Sequence, residues 1–224
     1  MHALHFREPR DVAPQTGLQG GMASWLRQIF LPVAGMVLQL LIFLLPLHAQ
    51  TNPTRFTLDA EESRVWFGAR ANMGGFRGEA RQVEGWAEVA DTATFRDARG
   101  AIELQVASLR TGIALRDRHL RGEMAADSFP VIRFVLSRIA APPAGAGTPR
   151  EVTVHGSLDI RGATREVAIP ARIERHGEGV RLAGELPLRL TDHGIDPPSR
   201  LGGLARMRDE LTVHFDVLFV REPR

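Results

Sequence analysis

The chain has 224 residues, and the part that follows its apolar N-terminal segment is long enough for one domain that buries its own core. It contains no cysteine, which excludes thiol nucleophiles, thiolate metal sites and redox motifs. All 28 basic residues are arginine and face 26 acidic residues, so the net charge is only +2 and nucleic-acid binding is not expected.

The N-terminal part of the chain has the plan of a secretory signal peptide. Arg27 supplies a positive charge, residues 29–47 are almost entirely apolar, and Ala49 is a small residue suited to a cleavage site. We therefore expect translation to start at Met22, cleavage after Ala49 and export of the mature protein, which in a bacterium would be periplasmic or secreted. Because the apolar run approaches the length of a membrane span, an uncleaved anchor in the inner membrane is the alternative.

The rest of the chain, residues 50–224, is predicted to form a single β-domain behind the signal segment of residues 1–49. Apolar and polar residues alternate with a period of two over residues 64–70, 102–106, 152–161, 166–174, 180–190 and 211–219. Such strands are typical of antiparallel sheets that have one face packed on the core and the other exposed to solvent. Only residues 114–124 have a helical pattern. Because about eight strands must hide their edges, we predict an all-β fold, a closed antiparallel barrel with one short helix.

The interior of such a barrel is the first place to look for function. An eight-stranded barrel either fills its interior with side chains or holds one small ligand, and the periodicity does not decide between these outcomes. Six large side chains occupy apolar strand positions and are expected to point inward: Phe67, Phe134, Leu186, Leu188, Phe215 and Phe219.

Four short motifs follow one another along the domain. They are SLRTG at residues 108–112, RDRHLR at 116–121, FPVIRF at 129–134 and GSLDIRGAT at 156–164. This ordered set resembles the YceI-like family of polyisoprenoid-binding periplasmic proteins, and the resemblance covers residues 55–220. It implies a lipocalin-like barrel whose apolar tunnel holds a long isoprenoid or fatty chain. It also implies that the six inward side chains line this tunnel, and that the protein is a carrier or sequestering protein rather than an enzyme.

The polar end of the tunnel is where the sequence departs from the family. His193 stands where the family usually has an aromatic residue, and the chain has no tyrosine to hold a head group. We expect the tunnel mouth at Asp117, His119 and Leu120 of the predicted helix and at His193. A structural interpretation of the 116–121 motif is favoured, in which Asp117 accepts hydrogen bonds at a helix end or turn and Leu120 packs on the barrel.

Other chemistries have little support in the sequence. Ser108, Asp117 and His119 are residue types of a nucleophile–base–acid set, but no Gly-x-Ser-x-Gly elbow accompanies them. His155 and His214 lie on polar strand faces, and the chain has no His-x-His or His-Glu-x-x-His pair. We therefore expect no catalysis, no metal and no cofactor.

The expected partner is a long-chain isoprenoid or fatty-chain lipid, one per barrel or per protomer of a dimer. A homodimer and a transient contact with a membrane stay open as further partners. The alternative function is a ligand-free, filled barrel that acts by protein contact in the envelope. A lipid hydrolase or isomerase is least favoured, because the alternation places nearly all charged residues on the outward faces.

Overall fold

The computed structural model describes residues 53–72, 74–95, 97–140, 150–200 and 205–222. The expected signal segment, its start at Met22 and its cleavage site at Ala49 lie outside the described residues. The regular elements are β1 (Thr54–Ala71), β2 (Gly74–Ala80), β3 (Val83–Val89), β4 (Arg99–Gln105), β5 (Leu109–Arg110), α1 (Ala114–Glu123), β6 (Val131–Ala140), β7 (Arg150–Ile160), β8 (Ala163–His176), β9 (Gly179–Arg189), β10 (Ser199–Arg200) and β11 (Ala205–Arg221). Short 3-10 turns occupy Val106–Ser108 and Leu190–His193.

Eight of the strands close into an antiparallel barrel. Their spatial order is β1, β3, β4, β6, β7, β8, β9 and β11, and β11 pairs back onto β1. The first residues of β1 pair with β3, whereas its second half pairs with β2, which in turn pairs with the short β5. The predicted closed barrel of about eight strands with one short helix is confirmed, and the helix lies within the predicted range of residues 114–124.

The alternation in the sequence is what separates the inside of the barrel from the outside. In β7, every second residue is buried, and the residues between them are not: the buried ones are Val152, Val154, Gly156, Leu158 and Ile160. Each buried aliphatic side chain contributes about 1.5–3 kcal/mol relative to an exposed one. A register slip of one residue would move this whole set to the solvent, so the alternation also fixes the strand pairing.

A bulge bends the long strand β1 in its middle. The register between β1 and β11 shifts between Asp59 and Arg64. The Asp59 carboxylate accepts hydrogen bonds from the backbone N–H groups of Glu61 and Glu62, both at 3.0 Å. Inside the wall, the buried Ser63 hydroxyl accepts a hydrogen bond of 2.9 Å from the Leu218 N–H. The side chains therefore replace ladder bonds that the bulge removes, and the strand turns around the barrel there.

Helix α1 covers one end of the barrel and is tied down by its own acidic residue. Asp117 is buried and accepts hydrogen bonds from the Thr111 N–H at 2.7 Å and the Thr111 hydroxyl at 2.6 Å. Beneath the helix lies a buried apolar cluster that includes Val106, Met124 and Ile195. Among the described residues, none of the helices has the length and apolar character needed to cross a bilayer.

Candidate functional site: an apolar cavity inside the barrel

A cavity of about 520 Å³ occupies the barrel interior beneath α1. This volume lies within the range of pockets that take small-molecule ligands, roughly 300–1,000 Å³. Its wall consists almost entirely of aliphatic and aromatic side chains that point inward from the strands. Five of the six residues predicted to line a tunnel are in this wall: Phe67, Phe134, Leu186, Leu188 and Phe215.

A second, smaller cavity of about 70 Å³ lies further along the interior. Phe219, the sixth predicted residue, lines this cavity and not the larger one, together with Phe56, Trp86 and Phe95. The two cavities adjoin, because four residues are part of both walls: Ile102, Phe134, Val154 and Leu182. The apolar space therefore continues along the barrel, with these four side chains between its wide part and its narrow part.

Three phenylalanine rings of the wall, those of Phe67, Phe134 and Phe215, are seated on glycines of neighbouring strands. A Cβ atom added to Gly184 would lie 2.7 Å from Phe215 Cζ, and one added to Gly156 would lie 2.6 Å from Phe134 Cζ. Such distances are closer than real Cβ contacts, so each ring occupies the space that a side chain at the glycine would take. Aromatic rings that cover glycines in this way lie against the sheet rather than across the interior. This arrangement helps to keep the centre of the barrel open.

The polar groups of the site are confined to one end. Among the described residues that line the two cavities, only Arg116, His119 and Glu123 are ionisable, and all three belong to α1. They share one face of the helix with Leu120 and Met124, because residues three, four and seven apart lie above one another. The other described residues of the two walls carry no charged group. A ligand inside would therefore have its polar end at α1 and an apolar remainder.

The large cavity opens to solvent beside α1. Gly74 and Gly75 at the start of β2 line it and are exposed, and so is His119 on the helix. The Arg116 guanidinium lies over the Phe76 ring, 4.4 Å from its centroid, and so joins the helix to the start of β2. The mouth is thus framed by α1 on one side and the β1–β2 hairpin on the other.

Of the four residues predicted at the mouth, Asp117 and His193 do not line either of the two cavities. Asp117 faces Thr111 and is not part of either cavity wall, and the Thr111 hydroxyl, the largest cause, holds the pKa of its carboxyl below the ordinary value. His193 is buried, and its Nδ1 donates a hydrogen bond of 3.0 Å to the Ala163 carbonyl oxygen. His119 and Leu120, by contrast, line the cavity.

The residue types of a catalytic set do not come together. The Ser108 hydroxyl donates to the Gln105 carbonyl at 2.7 Å and accepts from the Gln82 N–H at 3.1 Å. No hydrogen bond among the described residues joins Ser108, Asp117 and His119. Within the same residues, no three His, Asp or Glu side chains form a group that could hold a metal ion.

Comparison with known proteins places this barrel in a family. The sequence profile of the YceI-like domain matches residues 56–219. The chain belongs to the YceI-like family. Among curated proteins, no sequence matches the chain.

Solved structures share the fold of this YceI-like barrel. BcnA of Burkholderia cenocepacia has a TM-score of 0.62 and 21% identity, covering 72% of this chain and 98% of BcnA. A polyisoprenoid binding domain from Saccharophagus degradans, implicated in plant cell wall breakdown, has a TM-score of 0.59 and 15% identity, with 75% and 98% covered. The Campylobacter jejuni YceI protein has a TM-score of 0.53 and 15% identity, with 66% and 85% covered.

Two further residues of this YceI-like chain line the cavity beside His119 and Leu120 and were not predicted from the sequence: Arg116 and Glu123. Both were detectable in principle, because His119 and Leu120 had been assigned to the mouth and helical spacing places residues 116 and 123 on the same face. The seating of the phenylalanine rings on glycines was also missed. In the sequence, this contact would be indicated by a glycine that faces an inward aromatic residue on the neighbouring strand. Such a pair can be recognised only when the strand register is known.

Proposed function

We propose that the protein binds one long-chain lipid, a polyisoprenoid or a fatty-chain amphiphile, with the apolar chain inside the barrel and the polar end at α1. The observation that carries this proposal is the distribution of polarity around the cavity of about 520 Å³, whose ionisable lining residues all lie on one helix. Burial of a chain in such a space stabilises the complex by roughly 0.8 kcal/mol per CH₂ group. Few polar contacts are then needed for affinity.

Membership of the YceI-like family supports the proposed binding of a long-chain lipid. The chain is a YceI-like protein over residues 56–219, and a solved structure of similar fold is a polyisoprenoid binding domain. The identity to that domain is 15%, so this likeness does not decide between an isoprenoid and a fatty chain as the ligand.

The head group is expected to be small and polar. Arg116 and His119 offer N–H groups as donors, and the Glu123 carboxylate offers oxygen acceptors. The chain has no tyrosine, so a phenolic hydroxyl takes no part. This mixed set of donors and acceptors suits a head group that itself both donates and accepts hydrogen bonds.

The biological role that we propose is that of an exported carrier or sequestering protein, periplasmic or secreted, with an uncleaved N-terminal anchor as the alternative. The support is the plan of a signal peptide in residues 22–49. We expect no catalysis, because the ionisable residues that line the cavities are confined to the mouth and the wall contains no nucleophile–base pair among its described residues.

The second candidate is a filled barrel that acts by contact with another protein. It requires an interior packed with side chains, as in small barrels without ligands. The open interior of about 520 Å³ favours the lipid instead.

Native mass spectrometry of the protein purified from its own host, followed by solvent extraction, tests the proposal. We expect a discrete additional mass that is lost on denaturation and matches a prenyl or fatty chain. We also expect that the ligand-free protein takes up added lipids with an affinity that rises with chain length. A bare polypeptide mass without uptake of any added long chain would overturn the proposal and direct the search to protein partners.

A further inference from the structure

Two strongly exposed apolar side chains lie beside the mouth of the cavity. Leu115 in the first turn of α1 is 59% exposed, and Ile113 just before the helix is 50% exposed. They are the most exposed large apolar residues of the described chain. Isolated apolar residues on a surface are ordinary, but a pair next to the opening of a binding site is a typical mark of an interaction surface.

The same segment is basic. Residues 110–121 contain four arginines and a single acidic residue, Asp117, whose carboxylate is buried and hydrogen-bonded to Thr111. The Arg110 guanidinium donates to the backbone carbonyl oxygens of Ala107 and Leu109, so the outward positive charge comes chiefly from Arg118 and Arg121. Arg118 is exposed and makes no hydrogen bond or ion pair with the described residues.

The helical period places Arg118 and Arg121 on the outer face of α1, with Leu115 beside them. Arg118 lies three residues from Leu115 and three from Arg121, so the three are adjacent on the surface. Arg118 and Arg121 lie opposite the cavity-lining face, whereas Leu115 lies at its edge, four residues from the cavity-lining His119. The helix thus has one face toward the ligand space and one face, with apolar and basic side chains, toward solvent. We call Ile113, Leu115, Arg118 and Arg121 the rim patch.

We propose that the rim patch docks onto a bilayer that contains anionic phospholipid. Apolar side chains that enter the head-group region and arginines that face anionic lipids are the two contributions that hold a peripheral protein at a membrane. A lipid surface fits better than a protein partner, because a stable protein interface buries about 800 Å² per partner with complementary shape, whereas a bilayer accepts a few side chains without such a match.

Docking in this orientation gives the proposed function a route for its ligand. The mouth lies between α1 and the β1–β2 hairpin, next to the rim patch, so a long chain passes between bilayer and barrel without crossing water. This consequence rests on the proposed function, but the docking itself does not, since it depends only on side chains outside the cavity.

Flotation of the purified protein with vesicles tests the docking. Vesicles of phosphatidylcholine with phosphatidylglycerol are compared with vesicles of phosphatidylcholine alone, at low and high salt. We expect binding to the anionic vesicles only, weakened by salt. Arg118→Gln should weaken this binding about fivefold, the contribution of one basic residue near an anionic surface, while Arg118→Lys should retain it. Ile113→Ser with Leu115→Ser should weaken it at least as much.

The matched control changes exposed apolar residues away from the mouth. Val135→Ser with Val220→Ser removes side chains that are 41% and 39% exposed and should leave vesicle binding unchanged. Equal loss in this control, equal binding to neutral vesicles, or wild-type binding by the Ile113→Ser, Leu115→Ser variant would each overturn the docking proposal. The docking proposal would also be overturned if the protein bound no vesicles and the rim patch were instead required for binding to a protein partner.

Lipid occupancy, measured on the same samples by native mass spectrometry, separates the two proposals. A rim-patch variant that still takes up detergent-solubilised lipid but no longer floats with vesicles supports docking and leaves the proposed function intact. A wild-type protein that floats but takes up no lipid supports docking and overturns the proposed function.

Discussion

Phe67 on β1 lies over Gly78, its registered partner on β2, and its ring occupies the place of the side chain that glycine lacks. At Gly184 and Gly156, backbone oxygen atoms also approach the glycine, but at Gly78 the three nearest atoms all belong to the Phe67 ring. This pair is therefore the site at which the volume of the cavity can be changed with the least effect on the strands.

Gly78→Ala is expected to lower the affinity for a long-chain lipid, because the new methyl group pushes the Phe67 ring toward the interior. Each CH₂ group that the ring displaces from the cavity should weaken binding about fourfold. Titration of the ligand-free protein with lipids of increasing length measures the effect. Gly68→Ala on β1, the strand that carries Phe67, is the matched control, since a Cβ there meets no atom within 4 Å.

A double variant shows whether the ring itself is responsible. Phe67→Leu combined with Gly78→Ala should recover the lost affinity, because the smaller side chain leaves room for the new methyl group. If the double variant binds as weakly as Gly78→Ala alone, the substitution acts through the strand and the proposed role of the ring is wrong.

Asp117 is expected to stabilise the fold in a manner that depends on pH. Hydrogen bonds from Thr111 lower the pKa of its carboxyl in the folded state, so the contribution is present above the unfolded pKa of about 3.9 and is lost as the pH falls through the folded value. Asp117→Asn should therefore lower the free energy of unfolding at neutral pH and have a smaller effect in acid. Urea unfolding at both pH values measures the difference.

Asp127→Asn serves as the comparison for Asp117. Its side chain is exposed and forms no hydrogen bond with the described residues, so the free energy of unfolding should stay the same at both pH values. Equal destabilisation by Asp117→Asn at neutral and acid pH would mean that the charge of the carboxylate contributes nothing and that only its shape matters.

The bulge in β1 provides a test of barrel stability that is independent of ligand. Ser63→Ala removes the acceptor of the buried Leu218 N–H and should destabilise the fold by about 1–3 kcal/mol, the usual cost of an unsatisfied buried donor. Ser137, whose hydroxyl donates to the His155 carbonyl on the exposed surface, is the control, and Ser137→Ala should change stability by no more than about 0.5 kcal/mol. Similar losses in both variants would contradict the role assigned to Ser63.

The architecture followed from the sequence because it depends on a short-range signal. A period of two in strands such as β7 indicates which residues point into the barrel and which point to solvent. Closure of the barrel follows from the need to pair the strand edges. The helix at residues 114–123 was also predictable, since no β-branched residue interrupts it.

The site was only partly predictable, because its geometry depends on distant pairings. Phe67, Phe134 and Phe215 line the cavity, but alternation does not tell whether inward residues fill a core or leave a cavity. The position of His193 was not predictable from the residues around it. It was predicted at the mouth, but the 3-10 turn buries it against the Ala163 carbonyl. That contact joins residues 30 positions apart and has no local signature.

The narrow cavity beyond Phe134 is expected to set the longest chain that binds with full affinity. Ala87 lines this space of about 70 Å³ but not the larger cavity, so Ala87→Leu fills the far compartment alone. Long chains should lose affinity by about fourfold per excluded CH₂ group, while chains short enough to end before the compartment should bind as they do to the wild type. The short ligands thus control for folding within the same titration. Equal weakening for short and long chains would mean that the tail does not extend past Phe134.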